Sequence, residues 1–326
     1  MRLKIKSEKK SLWLIRFIGI ILLIFILTRI DLSSVAYTIT KVNLWYLALA
    51  IILILPVIFF KSWRWQSLLK TQGITYPLRQ AFLAYFSGIY LGLATPGRLG
   101  EFARVLYLTD DKELSVSEAF SSVLVDRLCD VYLLLIVIGY ALIAFSLLGG
   151  ETIIAVIILA FLLALSLLLL NRQIGTRLIR IVYKAKVLKR FERRMDTFVE
   201  EFYSGIQGLV SSRLVFPVLL TVAAYTVYFG QCYLLALSLN LPLSFFYVGA
   251  CMAVSFLVAM IPVSIAGIGT RDAALIALFS LRGVTAESAL SYSLLVLFTF
   301  YIATAVMGVV AWQIKPLMRK IVNKAS

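Results

Sequence analysis

The sequence predicts an all-α, polytopic helical membrane protein of two inverted halves, each carrying a broken re-entrant helical hairpin. Three observations lead there. Hydrophobic residues make up 62% of 326 positions, and the mean hydropathy is +0.97, a balance that no soluble class shares. The basic residues gather in a few stretches between apolar segments: 1–16, 61–80, 171–213 and 315–326 hold 24 of the 32 Lys and Arg, which is the positive-inside pattern. Finally, two apolar stretches are interrupted by proline, glycine and then ionised residues, at Thr95-Pro96-Gly97-Arg98-Leu99-Gly100-Glu101 and from Pro262 through Gly267, Gly269 and Arg271 to Asp272. Unpaired backbone groups are too costly in hydrocarbon for such breaks unless protein or a water-filled cavity surrounds them.

The apolar segments read as 13–30, 44–60, 81–95, 98–108, 116–148, 152–170, 214–239, 244–262, 270–281 and 288–313. The basic start Arg2 to Lys10 runs into Trp13–Leu27 with no small-residue cleavage site, so 13–30 is expected to be a retained first span. If all four basic stretches face the cytoplasm, the chain crosses an even number of times between them. Segments 13–30 and 44–60 form one pair, and 116–148 and 152–170 another, so 81–108 must enter and leave from the cytoplasmic side. In the second half, 214–239 and 288–313 pair, and 244–281 must enter and leave from outside. Hairpins opening to opposite faces are what inverted repeats produce. At a constant offset of 169 residues, Gly100/Gly269, Leu106/Leu275, Glu118/Glu287, Ser122/Ser291, Tyr132/Tyr301 and Gly139/Gly308 coincide, a suggestive repeat in a chain of biased composition.

Residues 1–326 are thus expected to form a single transmembrane domain: a first half over about 10–170, a connector over 171–213 and a second half over 214–315. In the connector, apolar residues from Ile174 to Leu209 recur every three or four positions, and basic residues from Arg172 to Arg194 fill the opposite face of its first part. It reads either as amphipathic helix in the cytoplasmic interface or as a solvated connector packed on the bundle.

Histidine is absent, which excludes a Ser-His triad, a histidine base and histidine-ligated metals. Cys129, Cys232 and Cys251 lie in apolar segments without metal-ligand spacing and read as packing residues. The net charge of +16 follows from topology rather than from nucleic-acid binding.

The first break is expected to aim a helix N-terminus, with free N–H groups, into the membrane, where Arg98 and Arg104 add full charges and Glu101 offers a partner. Gly97 and Gly100 there, and Gly267 and Gly269 in the second break, would let backbone amides approach an anion. The bland alternative has Arg98 and Arg104 snorkelling at the interface while Glu101 caps a helix. Arg271 and Asp272 open the helix after the second break, and the bland alternative for Asp272 is an offset to the helix dipole. Asp126-Arg127-Leu128-Cys129-Asp130 lies inside an apolar segment, and on a helix Asp126 and Asp130 share a face. Such charges should be buried and paired, either as part of a pathway or as a structural ion-pair network. Ser115 with Glu118, and Thr285 with Glu287, read as helix caps. Asp110-Asp111-Lys112-Glu113 raises the question of Mg²⁺ held at a lipid diphosphate, but it lacks a second acidic cluster and reads as a solvated turn.

The runs 95–104 (TPGRLGEFAR), 117–130 (SEAFSSVLVDRLCD) and 262–275 (PVSIAGIGTRDAAL) resemble, in this order, the flippase-like transmembrane family that includes the membrane region of lysylphosphatidylglycerol synthase/flippase. The resemblance covers about 10 to 315. It places Arg98, Gly100, Glu101, Arg127 and Asp130 on the family's first two motifs and Gly267, Gly269 and Asp272 on the third, where Asp stands for a more frequent Glu. It implies movement of polar lipids between leaflets, and a lipid-synthesising or glycosyltransferase enzyme as partner. No soluble transferase domain is appended, so the chain is not expected to aminoacylate a lipid.

Residues and resemblance together predict a non-enzymatic flippase or scramblase for a phosphate-bearing polar lipid, a phospholipid or a polyprenyl-phosphate-linked one. The substrate site is expected to comprise Arg98, Glu101, Arg104, Asp126, Arg127, Asp130, Arg271 and Asp272, with no cofactor and no metal. The expected setting is the plasma membrane, with both termini cytoplasmic and self-association as a homodimer. The rival readings are an Mg-dependent membrane transferase acting on a lipid phosphate and a small-anion secondary transporter.

Overall fold

Asp31 shows how the helices begin. Its carboxylate accepts from the Ser33 amide (2.9 Å) and from the Ser33 and Ser34 hydroxyls (2.6 and 2.8 Å), capping α1, Leu32–Thr40. Those hydroxyls hold its pKa at about 2. Asn43 caps α2 (Leu44–Ile52) in the same way. A single turn at Leu53 separates α2 from α3 (Ile54–Thr71), as expected where Pro56 lacks the N–H that would reach the residue 52 carbonyl.

The computed structural model describes residues 27–28, 31–93, 95, 99–112, 114–145, 153, 156–157, 159–161, 163–164, 168, 171–177, 192–209, 214–260, 264 and 267–315. Beyond α3 it contains α4 (Leu78–Leu93), a 3-10 turn (Leu99–Ala103) running into α5 (Arg104–Lys112), α6 (Val116–Phe145), α7 (Glu192–Leu209), α8 (Val215–Ser238), α9 (Phe245–Met260), α10 (Thr270–Ser280) and α11 (Ala286–Val296). A π-helical turn, Leu297–Ala303, joins α11 to α12 (Thr304–Ile314). No strand occurs among the described residues. Leu44–Thr71, Val116–Phe145, Val215–Ser238 and Ala286–Ile314 are each long and apolar enough to cross a bilayer. At 1.5 Å per residue each exceeds the roughly 30 Å hydrocarbon core. The all-helical membrane class is therefore observed. The expected first span 13–30 lies outside the described residues except at 27–28, and so does most of 152–170.

Two compact units divide the chain. One comprises 1–59, 83–103 and 223–315; the other comprises 60–82, 104–222 and 316–326. Within the first unit the chain doubles back twice. At the first break the Gly100 amide donates to Thr95 Oγ1 (2.6 Å). A Cβ on Gly100 would strike the Leu91 carbonyl, and one on Gly92 would strike the Glu101 side chain. At the second break, α9 and α10 lie antiparallel. Tyr247 Oη donates to the Leu278 carbonyl (2.5 Å), and a Cβ on Gly267 would lie 2.5 Å from Ala259 Cβ. Gly267 and Gly269 have φ of +74° and +83°, the left-handed region that only glycine enters without strain. In the same unit α12 meets α4 closely enough that a Cβ on Gly308 would lie 2.6 Å from Tyr90 Cβ. Val35 of α1 packs with Leu290 of α11.

In the second unit α7 lies against α6. Val199, Phe202, Tyr203 and Ile206 are buried there, with Phe120, Leu124, Val125 and Phe198 packed against them. Gly205 leaves no room for a side chain beside Ser121. The later part of the connector is thus a packed helix, not one lying free in the interface, and its apolar stripe is used by α6. The basic positions 178–191 lie outside the described residues. Phe202→Ala is expected to cost about 3 kcal/mol of this packing and to expose 192–209 to limited proteolysis. At the loop before α4, burial and then the hydrogen bond from its hydroxyl to Asp111 (2.6 Å) push the Tyr76 phenol pKa up.

Candidate functional site

Helix α3 does not end where its first charges appear. It continues to Thr71, so Lys61 and Arg64, which the sequence assigns to a cytoplasmic flank, are buried instead. They meet the acidic face of α6. Asp126 and Asp130, one helical turn apart, are both 0% exposed, as is Arg64 between them. Arg64 Nε donates to Asp126 Oδ1 and its Nη1 to Asp130 Oδ1, both at 2.7 Å, and Nη1 also reaches Thr221 Oγ1 of α8 (3.3 Å). Arg104, first residue of α5, donates to Asp126 Oδ2 (2.8 Å) and lies over the Trp65 ring at 4.9 Å. Lys61 Nζ donates to Asp130 Oδ2 (3.1 Å), and Arg127 Nη1 stands 3.8 Å from the same oxygen. Among the described residues of this unit, these ion pairs join four cations to Asp126 and Asp130.

Each carboxylate oxygen of Asp126 and Asp130 thus faces a cation, with Arg64 serving one oxygen of each. Charge-assisted bonds of this length compensate burial far better than neutral ones. Trp65 fixes the floor of the network: its Nε1 donates to Ser122 Oγ (3.3 Å), and its ring packs edge-on against Tyr76. The network opens at one edge. The side chains of Lys61 and Arg127 are 11% and 10% exposed, against 0–1% for Arg64, Arg104 and the two aspartates. Both half-open cations point at Asp130 Oδ2.

A second buried pair belongs to the other unit. Arg271 donates through Nη2 to Asp272 Oδ1 (2.7 Å) and through Nε to Ser293 Oγ (3.1 Å), and lies 5.2 Å over the Tyr301 ring in the π turn. Ser293 Oγ also reaches Asp272 Oδ1 (2.5 Å), while Asp272 Oδ2 accepts from the Gly269 amide (2.9 Å). Asp272 therefore both caps α10 and neutralises Arg271. Asp272→Ala removes both at once and is expected to cost about 3 kcal/mol. Asp272→Asn, which keeps the cap, should cost less when thermal unfolding is followed in detergent.

A profile of the lysylphosphatidylglycerol synthase transmembrane region matches residues 13–308. The chain belongs to this family. Its relatives include UPF0104 membrane proteins of Methanocaldococcus jannaschii, 27% identical with 95% of this chain and 96% of that one aligned, of Methanothermobacter thermautotrophicus, 24% identical over 90% and 92%, and of Pyrococcus horikoshii, 22% identical over 94% and 98%.

In this family member, Arg104, Asp126, Arg127 and Asp130 meet in one network, while Arg271 and Asp272 form the second pair. Glu101 is buried in the middle of the 3-10 turn. Arg98 and Gly97 lie outside the described residues. The amides of Gly100 and Gly269 are already engaged, by Thr95 and Asp272, so neither is open to an anion in this structure. Lys61 and Arg64 were missed because they follow a continuous apolar run and precede Lys70 and Arg79, which imitates a basic flank. Their four-residue environment, Lys61-Ser62-Trp63-Arg64 between apolar helix turns, offers only a faint signal. Ser115 does cap α6 with Glu118 (3.2 Å to its amide), and Thr285 caps α11. Among the described residues no group of three acidic or cysteine side chains is placed to hold a metal.

Proposed function

We propose that this protein is a lipid flippase or scramblase, moving a phosphate-bearing polar lipid between leaflets without covalent chemistry. The observation that carries the reading is the buried network of Lys61, Arg64, Arg104 and Arg127 around Asp126 and Asp130. It lies on helices otherwise fit to sit in hydrocarbon, and ionisable groups there mark a pathway for polar cargo. The headgroup would exchange places with carboxylates at the half-open edge while acyl chains stay in the bilayer.

Element lengths support two equivalent halves. Displaced by about 170 residues, Leu44–Thr71, α4, the 99–112 segment and Val116–Phe145 fall on α8, α9, α10 and Ala286–Ile314 in turn. In both sets a 16-residue helix leads into a glycine-bearing break and a shorter helix. The 11 residues of α10 reach only about 16 Å, about half the hydrocarbon thickness, which favours a hairpin that re-enters. Opposite openings of the two hairpins, cytoplasmic termini and a plasma-membrane setting belong to the same proposal.

Reconstitution in vesicles carrying acyl-labelled lipids tests it. Leaflet exchange should exceed that of empty vesicles and fall at least about tenfold in Arg127→Gln, which removes a headgroup contact from the open edge. Exchange no faster than in empty vesicles would sink the reading.

A further inference from the structure

The Ala286–Ile314 helix carries one residue more than a regular α-helix between the same end points. From Leu297 to Ala303 it winds as a π turn, in which each hydrogen bond spans one residue more than in an α turn. On an uninterrupted α-helix Ser293 and Tyr301, eight positions apart, would point about 80° apart. The residue absorbed by the π turn puts Tyr301 where its predecessor would stand, within about 20° of Ser293. Both therefore reach Arg271: its Nε donates to Ser293 Oγ (3.1 Å), and its guanidinium lies 5.2 Å over the Tyr301 ring. The same offset aims Gly308 at α4, where a Cβ would lie 2.6 Å from Tyr90 Cβ and 2.9 Å from the Phe86 carbonyl. Phe300 packs on Tyr228 of α8, with ring centroids 5.0 Å apart.

This register leaves one buried group unsatisfied. Thr299 is 0% exposed, and its Oγ1 finds no hydrogen-bond partner among the described residues. Buried hydroxyls elsewhere in the helices turn back to the carbonyl four residues earlier, as Thr221 does to Pro217 and Ser291 to Glu287, both at 2.8 Å. An α-helical 297–303 would offer Thr299 the Leu295 carbonyl in the same way. It would also rotate everything beyond by about 100°. Phe300 would then take the place of Tyr301 at Arg271, and Met307 that of Gly308 at Tyr90, where no side chain fits. The π register keeps Tyr301 on Arg271 and α12 against α4. The α register satisfies Thr299 and pushes α12 off α4. Each register makes contacts that the other breaks, which is the condition for a two-state element.

We infer that the π turn is a register switch. By passing its extra residue along the helix, it joins release of Arg271 in the second hairpin to separation of α12 from α4, the helix that leads into the first break. π turns inside long helices recur at functional sites, and here one turn addresses both broken segments of a single unit. The inference goes beyond the flippase reading: the switch belongs to this unit whatever crosses the membrane, and lipid movement would use it as a gate.

Fluorine NMR of protein labelled with 5-fluorotryptophan, in detergent, reads the register at Trp312 of α12, with Trp312→Phe identifying its resonance. Tyr301→Leu, which takes the ring from Arg271, should give Trp312 a second resonance of at least about a fifth of the total. Adding deletion of Phe298, an exposed residue of the turn, should remove that resonance, since a helix one residue shorter has a single register. Adding Thr299→Val instead should also remove it, since no hydroxyl is left for the α register to satisfy; this arm decides the matter even where the deletion fails to fold. Absence of a second resonance in Tyr301→Leu, or its persistence in either double variant, would overturn the inference. The Phe298 deletion alone should unfold at no lower temperature than wild type, yet lower leaflet exchange at least about tenfold. Full exchange by that variant refutes the switch as a gate and leaves the flippase reading standing. Register exchange in a protein that moves no lipid does the reverse.

Discussion

Asp130→Asn should destabilise the protein by about 3–5 kcal/mol, more than removal of any single cation in its network. Asp130 accepts from Lys61 and Arg64 and faces Arg127, so neutralising it weakens the shared acceptor of three cations at once. Removing one cation costs less, since Asp130 keeps its remaining partners. Lys61→Gln and Arg127→Gln, at the network's more accessible edge, should each cost about 1–2 kcal/mol. This asymmetry is unusual for ion pairs, where either partner is normally as costly to remove. The measurement is thermal unfolding of purified variants in one detergent. A further check is the double variant Asp130→Asn/Lys61→Gln, which should recover part of the loss because it removes one of the cations that Asp130 serves. Equal costs for Asp130→Asn and Lys61→Gln would refute the central place of Asp130 in the network.

Gly100→Ala should be the most damaging of the glycine substitutions, costing about 2–3 kcal/mol. The added methyl would collide with the Leu91 carbonyl and the Gly92 amide, which are backbone of the preceding helix and cannot swing aside as a side chain could. The turn at the first break, held by the Gly100 amide on Thr95, would have to open, shifting Glu101 and the start of α5 that carries Arg104. Gly230→Ala is the control. It lies in α8 with nothing within 4 Å of the new methyl and should be neutral or stabilising by about 0.5–1 kcal/mol through helix propensity. The same unfolding series compares them, and transport should fail with Gly100→Ala even at a temperature where the variant remains folded.

Much of this arrangement is legible in the residues. Hydropathy locates α6, α8, α9 and α10 within a few positions because burial in hydrocarbon and burial in protein leave the same apolar signature. The breaks are legible because Gly267 and Gly269 mark backbone that other residues do not enter cheaply, and Asp126 with Asp130 because a helical period puts them on one face. The pairing of Arg104 with Asp126 was within reach for the same reason. What hid was the central cation. Arg64 follows an uninterrupted apolar run and resembles a flanking charge, and only tertiary packing shows that Thr221 and both aspartates enclose it. The sequence cannot give that, since the contact joins positions more than sixty residues apart. The connector misled in a related way: its periodicity fits a membrane surface as well as a neighbouring helix, and Phe120 and Gly205 decide for the neighbour. The π turn at Leu297–Ala303 left no trace in composition.

Leaflet exchange in vesicles, wild type against Arg127→Gln, bears most directly on the claim that a charged chamber inside the membrane carries a lipid headgroup. Arg127 makes the longest of the described contacts to Asp130, 3.8 Å, so a fall of at least about tenfold in exchange, measured where Arg127→Gln is still folded, is the predicted result. Undiminished exchange by Arg127→Gln at matched protein density would show that lipid passes without touching this network.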